Sequence, residues 1–305
     1  MLERVRRYGE LIRFSHTIFA MPFALLASWW AWILPSPVDG SAIAFRARDL
    51  VGILLCMVTA RSFAMAINRL LDQKYDAENP RTAGRHLPAG LLGRAEVWIF
   101  TAACAAAFVA STFLFLPNRL PWMLSVPVLV FLGGYSLGKR FTWLVHLWLG
   151  VALMLAPVCA WVAIRGSVVS VQGADLLPAL CLGACVCLWV TGFDIIYACQ
   201  DFGFDRRRGL HSVPARFGVR GALRIAKVLH LAMFALAFGI SFWFPQLSLG
   251  WIYRFALGGV GCLLLWEHAS VSETSLDRMQ LAFFQLNAVI SVVFLAAGGL
   301  DAWIR

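Results

Sequence analysis

Apolar stretches of about 20 residues, the length a helix needs to cross a bilayer, recur along the whole chain and leave few folds open. We read nine: residues 10–34, 50–72, 95–116, 121–138, 142–164, 176–200, 220–244, 250–269 and 279–300. Inside hydrocarbon every backbone N–H and C=O must pair within the protein, so repeated segments of this length read as helices. Composition agrees. The chain is 61% hydrophobic and 14% charged, against roughly 45–50% and about 25% for soluble domains. The expected fold is an all-α membrane protein with nine transmembrane helices.

A net charge of +10 can suggest nucleic acid, but its placement excludes that partner. Of 26 Lys and Arg, 19 fall at the N-terminus and in the loops and helix ends after the second, fourth, sixth and eighth segments. Six fall on the opposite side, and Arg61 lies inside the second segment. The positive-inside rule then puts the N-terminus in the cytoplasm and the C-terminus outside, with the basic side facing anionic lipid and anionic substrates. Arg4, Arg6 and Arg7 before an apolar run resemble a signal peptide. The run is too long for an h-region and lacks an A-x-A site, so a retained first helix is expected. Eight cysteines, almost all within the apolar segments, read as small core residues rather than a disulfide framework.

Two polar sets break the apolar pattern. One is Asn68-Arg-Leu-Leu-Asp72-Gln-Lys-Tyr-Asp76, the other Asp194-Ile-Ile-Tyr197-Ala-Cys-Gln-Asp201-Phe-Gly-Phe-Asp205. Four helical residues turn about 400°, so Asn68, Asp72 and Asp76 share a face and climb about 12 Å, and Asp201 and Asp205 do the same. Carboxylates at a membrane edge are costly and point to function. Mg²⁺ takes oxygen ligands, usually a few carboxylates with phosphate oxygens and water, so two such sets suit a metal held against a diphosphate. No Cys or His cluster competes for a softer metal. Solvated helix-end charge would explain one set better than two of matched spacing. The sets align at an offset of 129 residues, which suggests a repeat of four helices plus four with a ninth appended. Two such halves would face their acidic sets across a central cavity. Pro80, Gly84, Pro88 and Gly90 follow the first set, and Gly209, Pro214 and Gly218 the second; both stretches are expected to be ordered loops or short helices.

A diphosphate also needs cations. Lys139 and Arg140 end the fourth segment, Arg206 to Arg208 flank the second acidic set, and Arg81 and Arg85 follow the first. Simple topology accounts for such charges equally well. Arg61 sits seven residues before Asn68 on the same face and must pair with something. Its partner is a carbonyl or carboxylate of the protein, a diphosphate, or a ligand carboxylate. Arg13 and His16, three apart on the first segment, share a face that suits an anionic aromatic acid; His16 also suits a hydrogen-bonded core position.

Together these residues resemble the UbiA superfamily of intramembrane aromatic prenyltransferases. Its first signature, N-x-x-x-D-x-x-x-D, is met by Asn68, Asp72 and Asp76. Its second, D-x-x-Y-x-x-x-D-x-x-x-D, is met by Asp194, Tyr197, Asp201 and Asp205, and its Tyr and Lys ending the fourth helix by Tyr135 and Lys139. The resemblance covers essentially the whole chain. It implies one domain over residues 1–305, nine helices around a central cavity open to the bilayer, and a bacterial inner membrane. It places Mg²⁺ on Asn68, Asp72, Asp201 and Asp205, with Asp76 and Asp194 in support. Lys139 would contact the diphosphate, and Tyr197 would line the site beside it. The implied reaction moves a polyprenyl group from an isoprenoid diphosphate to a 4-hydroxybenzoate-like aromatic acid for respiratory quinone synthesis. Trp143, Trp148, Trp161 and Phe193 are candidates to steady an allylic cation, with core packing the alternative role for each. One departure concerns the acceptor. Arg81-Thr-Ala-Gly-Arg85-His86-Leu-Pro-Ala-Gly90 carries His86 where the family commonly has Pro. That form, with Asn79-Pro80 and His211-Ser-Val-Pro-Ala-Arg-Phe-Gly218, resembles a 4-hydroxybenzoate-prenyltransferase-like branch. Some members of that branch serve menaquinone synthesis by the futalosine route, so dihydroxynaphthoate stands as an alternative acceptor. A membrane transporter is the alternative from another class, although acidic sets gathered at one membrane face argue against it.

Overall fold

A computed structural model describes residues 2–12, 19–271 and 280–304. The helices are α1 (Leu2–Leu11), α2 (Met21–Ile33), α3 (Ala47–Glu78), α4 (Arg94–Thr112), α5 (Leu120–Gly134), α6 (Val145–Val171), α7 (Leu177–Ala198), α8 (Phe202–Arg207), α9 (Val213–Trp243), α10 (Trp251–Ser270) and α11 (Gln280–Ile304). No strand occurs among the described residues. Among the described residues seven helical segments, those holding α3 to α7, α9 and α11, are long and apolar enough to cross a membrane.

The other two expected spans depart from that standard. Residues 10–34, expected as one helix, hold the end of α1 and the separate α2. With 13 residues, α2 is about 20 Å long, short of the roughly 30 Å hydrocarbon core. Helix α10 has the length, but Arg254, Glu267 and His268 dilute its apolar character.

The chain forms two compact units, Met1–Thr17 with Ala47–Gly138 and Ile18–Arg46 with Lys139–Arg305. They do not divide the helices four and four as the repeat would. In the first unit α3 packs on α4 and α5, and α1 on α3. Leu87 and Leu92, from the segment after α3, enter a core with Leu11, Leu70 and Val97. That segment is ordered, as its turn residues predict. The Thr82 hydroxyl donates to the Asp76 carbonyl (3.0 Å), and Asn79 Oδ1 accepts from the Arg81 N–H (3.0 Å). His86, the departure from the family pattern, ties this segment to α1 through Glu10 (Nε2 to Oε2, 3.3 Å). Arg6, hydrogen-bonded to Glu10, holds that exposed carboxyl below its usual range, with a smaller contribution from His86.

In the second unit α2, α6, α7, α9, α10 and α11 each touch the next, and α11 returns to α2. The segment holding α7 is the most buried span, 67% against 44% or less for the others, so α7 carries the unit's core. Its approach to α6 depends on glycine. A Cβ at Gly150 would overlap Thr191 and the Cys187 carbonyl, and one at Gly183 would stand 2.8 Å from Met154. Small residues let membrane helices approach closely enough to gain dispersion. In α9, Gly218 takes φ 72° and kinks the first turns away from the rest, a conformation other residues adopt at a cost. All eight cysteines are free, as expected.

Arg165, 1% exposed, interrupts α6 with non-helical φ/ψ. Its guanidinium donates to the carbonyls of Ala31, Leu34 and Pro35 and to both oxygens of Asp175. Trp161 Nε1 also donates to Asp175 (3.2 Å). One buried cation thus satisfies the end of α2, where carbonyls lack intrahelical partners, and ties it to the α6–α7 connection. Removing one partner of a buried pair leaves an uncompensated charge and costs about 3–5 kcal/mol. Arg165→Ala is expected to lower the unfolding midpoint in detergent well beyond Arg46→Ala, a control at the helix-poor 34–46 stretch.

Candidate functional site

The first acidic set lies within one continuous helix. Helix α3 runs to Glu78, six residues past the expected end, so Asn68, Asp72 and Asp76 occupy successive turns of one face. Asn68 Nδ2 donates to Asp72 Oδ2 (2.7 Å), and Arg69 donates to Asn68 Oδ1 (3.1 Å). Asp76 is buried, with Oδ1 held by Arg85 at 2.6 Å. Its other oxygen, Oδ2, is buried with no hydrogen-bond partner among the described residues. Seven residues before Asn68, Arg61 is half-buried, and its Nε likewise has no such partner.

The second set is built differently. Helix α7 ends at Ala198, a 3₁₀ turn covers Cys199–Asp201, and α8 begins at Phe202. Asp194 and Tyr197 therefore belong to α7, Asp201 ends the turn, and Asp205 lies in α8. Asp201 and Asp205 are both buried. Lys139 Nζ meets Asp205 Oδ2 at 3.2 Å, and the Lys139 carbonyl accepts from the His211 N–H at 2.7 Å. Lys139 is thus fixed at the second acidic set from both its ends. Tyr135 opens the 3₁₀ turn, Tyr135–Arg140, that presents Lys139. The Tyr197 ring stands edge-on to Phe193, centroids 6.3 Å apart. Arg206 to Arg208 are exposed. Arg13 and His16 lie outside the described residues.

Sequence spacing missed one residue of this set. His146 on α6, 1% exposed, donates from Nδ1 to Asp194 Oδ2 (2.7 Å), and its Nε2 is buried with no hydrogen-bond partner among the described residues. Forty-eight residues separate the two, so no local pattern links them; an ionisable side chain inside an apolar span was the available signal. The candidate cation-facing aromatics also sort themselves. Arg165 stacks over Trp161 at 5.4 Å and Arg216 over Trp143 at 4.8 Å. Those rings already serve the protein's own guanidinium groups, whereas Phe193 neighbours Tyr197.

Among the described residues no three His, Cys, Asp or Glu side chains gather as a ready metal cluster. Each acidic set nonetheless offers oxygen donors only, the chemistry of a hard cation such as Mg²⁺, and the orphaned Asp76 Oδ2 is an oxygen that a cation would satisfy.

Residues 20–289 match the UbiA prenyltransferase family. The chain belongs to that family. A UbiA homolog from Aeropyrum pernix K1, solved in its apo form, superposes with a TM-score of 0.79 at 31% identity, over 94% of this chain and 97% of that one. A second, from Archaeoglobus fulgidus and bound to DMAPP and Mg²⁺, shares the fold at TM-score 0.70 and 18% identity, over 98% and 100% of the two chains. The 4-hydroxybenzoate octaprenyltransferase of Xanthomonas oryzae pv. oryzae is 29% identical over 296 residues, covering 96% of this chain and 91% of its own. With its apolar helices, the chain is a multi-pass membrane member of the UbiA family.

The Lys139–Asp205 pair separates two roles that one substitution would confuse. Lys139→Ala strands a buried carboxylate and should destabilise the protein by about 1–3 kcal/mol. Adding Asp205→Asn removes that unpaired charge, and the unfolding midpoint should recover in part. If Lys139 also meets the diphosphate, the double variant turns over the prenyl donor more slowly than Asp205→Asn alone at similar stability. Turnover equal to that of Asp205→Asn alone would make the lysine purely structural.

Proposed function

We propose that this chain transfers a polyprenyl group from an isoprenoid diphosphate to an aromatic acid of the 4-hydroxybenzoate type, with Mg²⁺ as cofactor, in a bacterial inner membrane. The observation that carries this reading is the pair of Asn/Asp sets, each secured by its own cation, in a chain of the UbiA family. The named activity of the Xanthomonas relative supports the acceptor class, and the Mg²⁺ in the Archaeoglobus homolog supports the metal. The whole chain, 1–305, is read as one prenyltransferase domain.

In the reaction the allylic C–O bond to diphosphate breaks, a ring carbon beside the phenolic oxygen forms the new C–C bond, and that ring carbon loses its proton. Asn68, Asp72, Asp76, Asp201 and Asp205 are proposed to hold Mg²⁺, which when bound neutralises the leaving diphosphate. Asn68, Asp72, Asp201 and Lys139 are the proposed catalytic groups, Lys139 as a point charge on phosphate. Tyr135 and Tyr197 are proposed to line the donor site. Arg61, with an unpartnered Nε, and Arg13 and His16 are assigned to the acceptor carboxylate. Apolar helix walls keep water from the developing cation.

The deciding experiment is reconstitution in liposomes with a polyprenyl diphosphate, 4-hydroxybenzoate or dihydroxynaphthoate, and Mg²⁺ or a chelator, with products read by mass spectrometry. Prenylated 4-hydroxybenzoate is expected, and none with the chelator. Asp72→Ala and Asp201→Ala should each lower turnover more than about 100-fold, or about 2.7 kcal/mol of barrier, with membrane insertion intact. Near-normal turnover in either variant refutes the metal assignment; product only from dihydroxynaphthoate moves the chain to the alternative acceptor.

Orientation is proposed from the distribution of Lys and Arg, with the N-terminus and the acidic sets cytoplasmic. A cysteine introduced at Arg207 should be shielded from an impermeant thiol reagent in intact cells and labelled once the cells are opened. Labelling in intact cells would invert the topology.

A further inference from the structure

Helix α9 is amphipathic in an unusual order. Its buried face is Ala222, Ala226, His230, Met233, Ala237 and Ile240. At 100° per residue, Arg220, Arg224 and Lys227 lie on the opposite side, within about 60° of arc. All three are exposed. Further along the same arc come Leu231 and Phe238, 67% and 43% exposed. One stripe therefore runs from three cations to bare apolar side chains over about 16 Å, Lys227 to Phe238. One leaflet of the hydrocarbon core is about 15 Å thick.

At its charged end the stripe borders a cavity of about 490 Å³. The three cations line it from α9, and His268, Leu265 and Ala269 line it from α10. No carboxylate lines it among the described residues. His268 is fixed from behind: its Nε2 stands 3.0 Å from His230 Nδ1, and His230 Nε2 donates to the Trp189 carbonyl at 3.2 Å. A Cβ at Gly192 would overlap the His230 ring, so the backbone of α7 makes room for this support. Leu265, 66% exposed, lines the cavity and adds an apolar side chain at its rim.

We propose that this α9–α10 cavity is a headgroup site for an anionic phospholipid, its phosphate held by Arg220, Arg224 and Lys227 and its acyl chain laid along Leu231 and Phe238. A phosphate oxyanion is the shared chemistry of a lipid headgroup and of free phosphate, and arginine forks and lysine ammonium groups both suit it. The apolar continuation of the stripe selects the lipid. Basic pockets between membrane helices bind such headgroups, whereas a charge that serves topology alone needs neither a cavity nor an aligned apolar path. The exposed Arg206 and Arg207 of α8 supply the contrast, lying outside this cavity.

The test uses the full chain, delipidated in neutral detergent, and reads the thermal unfolding midpoint on titration with dioctanoyl phosphatidylglycerol, dioctanoyl phosphatidylcholine or inorganic phosphate. Phosphatidylglycerol should raise the midpoint by several degrees and saturate; the other two should do little. In Arg224→Gln/Lys227→Gln the half-saturating concentration should rise about 30-fold, taking about 1 kcal/mol for each lost cation. Arg206→Gln/Arg207→Gln should titrate like the wild type. Ala269→Trp, which fills the cavity and keeps every cation, should also abolish the shift, and it stands in if the double variant does not fold. Wild-type titration in both cavity variants overturns the site. An equal loss in the α8 control reduces it to general surface charge, and an equal shift by inorganic phosphate overturns the lipid assignment.

Discussion

A charge placed among membrane helices must find its partner within the protein, and much of this structure follows from that requirement. Arg165 meets it most completely. Five acceptors, from the end of α2 and from Asp175, surround one guanidinium. Because α2 is too short to be held by burial along a full span, its carbonyl end needs such an anchor. The kink in α6 at Arg165 is the local cost of bringing that guanidinium to it. At the charged end of the same unit, Lys139 and His146 meet Asp205 and Asp194 by the same logic. Helix α7 lies between these clamps as the most buried span.

The two acidic sets use the requirement differently. On α3 the carboxylates sit on uninterrupted turns, so their spacing is fixed by the helix, and Arg85 reaches back from an ordered loop to hold the last of them. In the second unit the backbone tightens to 3₁₀ between Tyr197 and Asp201. Spacing there is set by a turn, and Lys139, its carbonyl held by the His211 N–H, braces Asp205 from outside. Similar sequence signatures are therefore realised by two local structures, one regular and one braced.

The spans were legible because a 20-residue apolar run has few alternatives, and seven of them fall on helical segments long and apolar enough to cross a membrane. Hydropathy misjudged the end of α3. Gln73, Lys74, Tyr75, Asp76, Ala77 and Glu78 are polar on the whole, yet most are good helix formers, so the helix outruns its apolar stretch. It also read 10–34 as one helix, whereas α1 ends at Leu11 and α2 begins at Met21. The acidic sets were visible as spacing, and family membership bears out the resemblance they carried. Pairings across long separations were not visible. Nothing in the local sequence joins His146 to Asp194, or gives Arg165 its acceptors on α2. Those contacts come from helices meeting, which a single chain's periodicity does not encode.

The length of α3 bears on how a greasy substrate is handled. Its 32 residues extend about 48 Å, about 18 Å more than the hydrocarbon is thick. The apolar part, 50–67, accounts for about 27 Å, so most of the surplus falls on the turns that carry Asn68, Asp72 and Asp76. With 50–67 upright in the hydrocarbon, those turns would stand at headgroup depth. An amphiphile resting in the leaflet already keeps its polar end at that level and its tail below. For the proposed prenyl diphosphate, an acidic face at that level would require no vertical lift and no partitioning of its charged end into oil.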